Sequence, residues 1–161
     1  MSLKGDRVET QFVDVSMFGN SIMTRGGVVS YSTFGSGAAM DQSAALVAYA
    51  ANSSGAAPKG ILLEDMVSYD LTRQHINWYR DEVQIGGKLA IGYKGYWVTS
   101  NISTTSLAVG DYAVLGSSGT IYNVSLASEA NGSWNKALNP KVGRFMSLAD
   151  EDGYAKVEID L

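Results

Sequence analysis

Cysteine is absent from the 161 residues, which excludes disulfides, thiolate metal centres and cysteine nucleophiles. Histidine occurs once, at His75, and proline twice. A metal site would have to be built from carboxylates, and no spacing in the chain supports one. Charge is also sparse, at 17% of residues against the usual share of about 25%. The balance is acidic: 12 Lys+Arg against 16 Asp+Glu give a net charge of −4. Clustered cations for phosphate contacts are therefore missing, and no nucleic-acid partner is expected. No apolar run is long enough to span a membrane as a helix. The opening Met1-Ser2-Leu3-Lys4-Gly5-Asp6-Arg7 is charged where a signal peptide would carry its apolar stretch. The sequons at Asn52, Asn101, Asn123 and Asn131 then read as chance products of a chain rich in Asn and Ser. The expectation is a soluble protein made in a cytoplasm.

What the chain has in excess is glycine and serine, 18 and 19 residues, beside 45% hydrophobic residues. That apolar share is too large for disorder. It fits many tight turns between short strands. Residues 1–40 stand apart: the pairs Phe12-Val13, Met17-Phe18, Ile22-Met23 and Val28-Val29 lie among glycines with no sustained period. A loose tail has little use for so many Phe and Met. These residues are read instead as an extended arm that gains order by lying on a partner.

A regular pattern begins near Ala44. The run Ala44–Ala51 is a short helix or a strand, and periodicity does not decide between them. Lys59–Leu63 reads as a strand after Pro58, and residues 69–83 as an extended or irregular polar segment. Lys88–Tyr93 and Gly95–Thr99 are strand-like runs flanking Lys94. Asp111–Leu115, the turn Gly116-Ser117-Ser118-Gly119 and Thr120–Val124 make one hairpin. Lys141–Leu148, the turn Asp150-Glu151-Asp152-Gly153 and Tyr154–Leu161 make another. In its second strand Ala155, Val157, Ile159 and Leu161 alternate with Lys156, Glu158 and Asp160, so one face is buried and one is wet.

The candidate chemistry is thin. His75 lies among Asp70, Arg73, Arg80 and Asp81, but no Gly-x-Ser-x-Gly elbow supplies a nucleophile. A network of ion pairs on a contact surface explains the same residues. Asp150-Glu151-Asp152-Gly153 fails as a calcium loop, because position 12 of such a loop falls on Leu161. Gly86-Gly87-Lys88 lacks the spacing of a phosphate loop. The expectation is no enzyme, no metal and no cofactor. Arg73, Trp78, Tyr79 and Arg80 are the residue types that anchor protein interfaces. With Phe12, Met17, Phe18, Ile22 and Met23 of the arm, they are the candidate partner contacts.

The stretch Pro58-Lys59-Gly60-Ile61-Leu62-Leu63-Glu64-Asp65, continuing through Asp70–Val83 to Gly86-Gly87-Lys88-Leu89-Ala90-Ile91, resembles capsid decoration (head-stabilisation, or cement) proteins of tailed bacteriophages. The resemblance is especially to the cyanophage and marine-phage types. The last third, from Leu107-Ala108-Val109-Gly110-Asp111 through Val142-Gly143-Arg144-Phe145 to Val157-Glu158-Ile159, is similar to the ending of those β proteins. The likeness covers about residues 44–161. It agrees with the short strands and turns in implying a mainly β fold, a small β-barrel or sandwich (β-tulip-like) domain over residues 41–161, to which the extended N-terminal arm read from residues 1–40 is added. It also implies a structural virion protein on the outer surface of the capsid, binding the major capsid protein and cementing the shell. A homo-oligomer follows, with a trimer favoured at threefold positions, and neither nucleic acid nor membrane is a partner. Two other readings compete: a different phage head or tail structural module, and a small-ligand or carbohydrate-binding β-barrel using Trp78, Trp97 or Trp134 as a stacking platform.

Overall fold

A computed structural model gives the fold for residues 3–4, 11–32, 46–69, 82–103 and 106–161. Over these residues the protein is mainly β, with 48% strand and 6% helix. The first strands are β1 (Leu3–Lys4), β2 (Phe12–Gly19), β3 (Val28–Tyr31), β4 (Leu46–Ala48), β5 (Pro58–Leu62) and β6 (Asp65–Val67). They are followed by β7 (Glu82–Gln84), β8 (Lys88–Thr99), β9 (Tyr112–Leu115), β10 (Ile121–Val124), β11 (Lys141–Phe145) and β12 (Ala155–Asp160). A short α-helix, α1 (Leu126–Ala130), and one 3-10 turn, Ser117–Gly119, lie among the described residues. The run Ala44–Ala51 thus contains a strand, β4.

Five strands close a barrel in the order β8–β2–β4–β3–β5, the ring shut by Ile61 opposite Gly92 and Leu62 opposite Ile91. Closure leaves the barrel core to Val29, Val47, Leu62, Leu89 and Ile91, with Met23 and Met66 completing it. Met17, Tyr49 and Val83 pack on its margin. Tyr49 donates its hydroxyl hydrogen to the carbonyl of Thr24 and accepts from the Gly27 amide. Burial raises its phenol pKa well above the ordinary value of 10.

From β8 the sheet continues outward through β12, β11, β9 and β10. Its inner face packs on the outside of the barrel wall. Phe145, Val157, Ile159, Leu115, Ile121 and Trp97 meet Val28 and Ile61 there. Each fully buried side chain of this size is worth about 1.5–3 kcal/mol of transfer free energy. β3 and β5 are consequently buried on both faces: Val28 and Ile61 point to the sheet, while Val29 and Leu62 point into the barrel.

β8 joins the two parts. Its first half pairs with β2 and β5, and Lys94–Thr99 pairs with β12. The two runs expected on either side of Lys94 are therefore one strand, because Lys94 is held in register opposite Asp160. Gly95, just past the change of partners, has φ +138°, a conformation closed to L side chains and suited to bending a strand.

Both hairpins stand where the sequence places them. Ile121 lies opposite Leu115, and Phe145 opposite Val157. The acidic turn is tied by its own first residue: Asp150 Oδ1 accepts from the amides of Asp152 at 3.1 Å and Tyr154 at 2.7 Å. Local hydrogen bonding of this kind explains its Asp residues without any ion.

The arm expected over residues 1–40 is corrected within residues 11–32. β2 and β3 are two of the five barrel strands, and Met23 is 3% exposed inside the barrel. The physical reason is closure. The isolated apolar pairs supply neighbouring residues to different faces, so they fold onto the rest of this chain and need no partner surface to become ordered.

Candidate functional site

The exposed apolar surface concentrates at the start of β2. Phe12, Val13 and Val15 are 45%, 44% and 61% exposed. This follows from pairing. β2 lies against β8 on one side from Phe12 to Phe18, but β4 reaches its other side only at Phe18 and Gly19. Among the described residues, Phe12–Met17 therefore has an open edge. Register shifts between Phe12 and Val13 and between Asp14 and Met17 loosen its fit to β8. Asp14 fixes the second irregularity, since its Oδ1 accepts from the amide of Ser16 at 2.8 Å and from its hydroxyl at 2.6 Å.

A charged pair and a ring complete the surface. Lys59 Nζ lies 2.8 Å from Asp14 Oδ2 and 5.3 Å from the centre of the Tyr93 ring. Phe12 and Tyr93 have ring centres 6.0 Å apart. The hydrogen bond from Lys59, reinforced by those from Ser16, lowers the Asp14 pKa from 3.8 to about 2. The same bond raises that of Lys59. The pair is thus ionised throughout the neutral range, and it supplies a charge of each sign within an apolar strip.

The residues named as arm contacts separate by environment. Phe12 and Ile22 are exposed, Ile22 at 65%. Phe18 is half-buried, with Lys88 Nζ 5.8 Å from its ring centre. Met17 packs on the barrel core and Met23 belongs to it, so Met23 is corrected from a partner contact to a core residue. Arg73, Trp78, Tyr79 and Arg80, with His75, lie outside the described residues. Val13, Val15, Lys59 and Tyr93 were not singled out from the sequence. The alternation of Val13 and Val15 with Asp14 and Ser16 was the available signal, a period of two that marks a strand.

Of the tryptophans considered as stacking platforms, Trp97 is in the sheet core at 4% exposure, and only a glycine at position 92 leaves room for its ring. It cannot stack on a ligand. Trp78 lies outside the described residues. Trp134 is half-buried and stacks on Tyr112, with ring centres 5.5 Å apart and planes at 25°.

Among the described residues no group of three or more His, Cys, Asp or Glu is placed to hold a metal ion. No helix among them is long and apolar enough to cross a membrane. The fold and site define a mainly β protein, a closed five-strand barrel carrying additional strands, with an apolar edge on one barrel strand that is open among the described residues. No known family model matches the chain, and no curated protein matches it.

Proposed function

We propose that this protein is a capsid decoration protein, which binds the outer surface of a tailed-phage shell and stabilises the assembled lattice without catalysis. The observation that carries the reading is the open edge of β2, where Phe12, Val13 and Val15 are exposed around the Asp14–Lys59 pair. An unpaired apolar edge is an aggregation hazard in a free protein and an asset in one that docks on another. The resemblance of Pro58–Asp65 and Gly86–Ile91 to decoration proteins supplies the kind of partner, the major capsid protein. Attachment to the assembled shell and not to its free subunits stabilises the shell by mass action. A trimer at threefold positions multiplies a weak edge contact, because the second and third edges bind from high effective concentration.

The test uses shells purified without this protein. Full-length protein is expected to co-sediment with them to saturation and to raise the temperature at which they release DNA. Phe12→Ser combined with Val15→Ser is expected to lower occupancy about tenfold or more, since each exposed apolar contact carries about 1 kcal/mol or more at an interface. Saturation by the double variant equal to that of the parent overturns the role of the edge. No binding by the parent overturns the decoration reading, and co-sedimentation with tails alone identifies a different virion module.

A further inference from the structure

We infer that the cleft beside Trp134 is a binding site for a neutral sugar. It has a volume of about 440 Å³, within the roughly 300–1,000 Å³ of small-ligand pockets. Its walls come from the β10–α1 connection and the loop before β11, and no charged side chain lines it. Asparagine amides, serine hydroxyls and one indole make up most of the lining. The cation beside it, Lys136, stands over the indole and is not part of the lining. A polyhydroxylated ring needs neutral donors and acceptors together with an aromatic surface.

The orientation of the polar groups is set by bonds made behind the cleft. Asn123 Nδ2 donates to the Ser106 carbonyl at 2.6 Å and to Asp111 Oδ2 at 2.8 Å. Asn139 Nδ2 donates to Ser53 Oγ at 3.1 Å and to the Leu115 carbonyl at 3.2 Å. Both amides have spent their donors inside the protein, so what remains on each for a ligand is the acceptor capacity of its carbonyl oxygen. Asn135 is arranged the other way: its Oδ1 accepts from the Ala137 amide at 3.0 Å, and its NH₂ is the group presented. Acceptors and a donor thus surround one cleft, and sugar hydroxyls are both.

The aromatic wall is preorganised. Trp134 Nε1 donates to the Asn139 carbonyl at 3.0 Å, which sets the ring plane. Tyr112 stacks behind it, with Lys141 and Arg144 each 4.5 Å from its ring centre. Arg144 also bonds the Tyr112 hydroxyl at 3.2 Å. The stack pins the loop, and the asparagines and serines that line the cleft beside it give the indole polar neighbours suited to sugar hydroxyls. Lys136 Nζ, 5.2 Å from the indole centre, belongs to an exposed side chain that a sugar ring can displace. β9, which carries Tyr112, stands four strands from β2 in the sheet order. At ~4.8 Å per strand the two sites are about 19 Å apart along the sheet, so occupation of one leaves the other open.

Saturation-transfer NMR on the full chain tests the site. The neutral probes are methyl glycosides of glucose, galactose and mannose with maltohexaose, and the charged probes are glucuronate and glucose 6-phosphate. The neutral probes are expected to bind with dissociation constants of about millimolar, and the charged ones more weakly. Trp134→Ala is expected to lose about tenfold in affinity and Trp134→Phe to keep most of it, because stacking needs a ring. Asn135→Ala, at an exposed position that does not hold the ring, is expected to lose about threefold. Should Trp134→Ala unfold, the comparison of Trp134→Phe with Asn135→Ala decides. Absence of saturation transfer from every neutral probe, tighter binding of the charged probes, or variants that bind like the parent overturns the assignment. Capsid occupancy by these variants is expected to be unchanged, which separates this site from the β2 edge.

Discussion

The barrel and the sheet that leans on it solve the same burial problem with different materials. The sheet core is built from Val, Ile, Leu, Ala, Phe and Trp on strands whose register shifts once, between Lys141 and Gly143 where β11 meets β9, and β12 alternates buried residues with half-buried or exposed ones. The barrel core relies on two methionines, Met23 and Met66, among strands whose pairing is interrupted by three register shifts. Methionine is unbranched and adapts to irregular space, so it suits a ring closed from β4 and β5, of three and five residues. Regular strands can use branched side chains, which are stiff and fit a repeating surface. The lesson is that side-chain flexibility follows backbone irregularity: the regular region specifies its packing, and the irregular one accommodates it.

The strongest test of that contrast is Phe145→Ala. Phe145 is fully buried in the sheet core, and its truncation is expected to cost about 3–5 kcal/mol, read from urea denaturation with an unchanged slope. Gly95→Ala breaks the link between the regions. It forces an L side chain to φ +138°, at an expected cost of about 1–3 kcal/mol, with amide exchange accelerating in both halves of β8. Met66→Leu probes the barrel, where a tolerant core is expected to lose less than about 1.5 kcal/mol. A loss as large as that of Phe145→Ala would show that the barrel is packed as strictly as the sheet.

The smallest effect is expected at the β2 surface. The Asp14 pKa is about 2 in the folded protein and 3.8 ordinarily. A lowered folded value contributes stability that is present above about pH 4 and is lost as pH falls toward 2. Asp14 is partly exposed, so the contribution is of the order of 0.2–1 kcal/mol. Thermal unfolding of Asp14→Asn and the parent should differ slightly at pH 6 and converge by pH 2.

The two regions also differ in how far they could be read from the sequence. Both hairpins of the sheet were legible because their turns carry local chemistry, Gly116–Gly119 in one and Asp150–Gly153 in the other, and because one wet face leaves a period of two. The barrel was not legible in this way. Val28-Val29 and Ile61-Leu62 serve two cores at once, and a strand buried on both faces has no alternation to read. The candidate sites divide along the same line. Phe12, Ile22 and Met23 were named together for their apolar character, and nothing local distinguishes the exposed Phe12 and Ile22 from Met23, which is buried.

By itself, then, the sequence determined a β protein without disulfides, the position of its hairpins and the wet and dry faces of β12, since each of these depends on residues near one another in the chain. Only the tertiary structure decided that residues 12–31 belong to a barrel instead of an arm. That decision rests on β2 finding β8, with Phe18 opposite Lys88, and on β5 closing the ring. Contacts between segments so far apart in sequence leave no mark in either one alone. They form because they bury both sides of the wall.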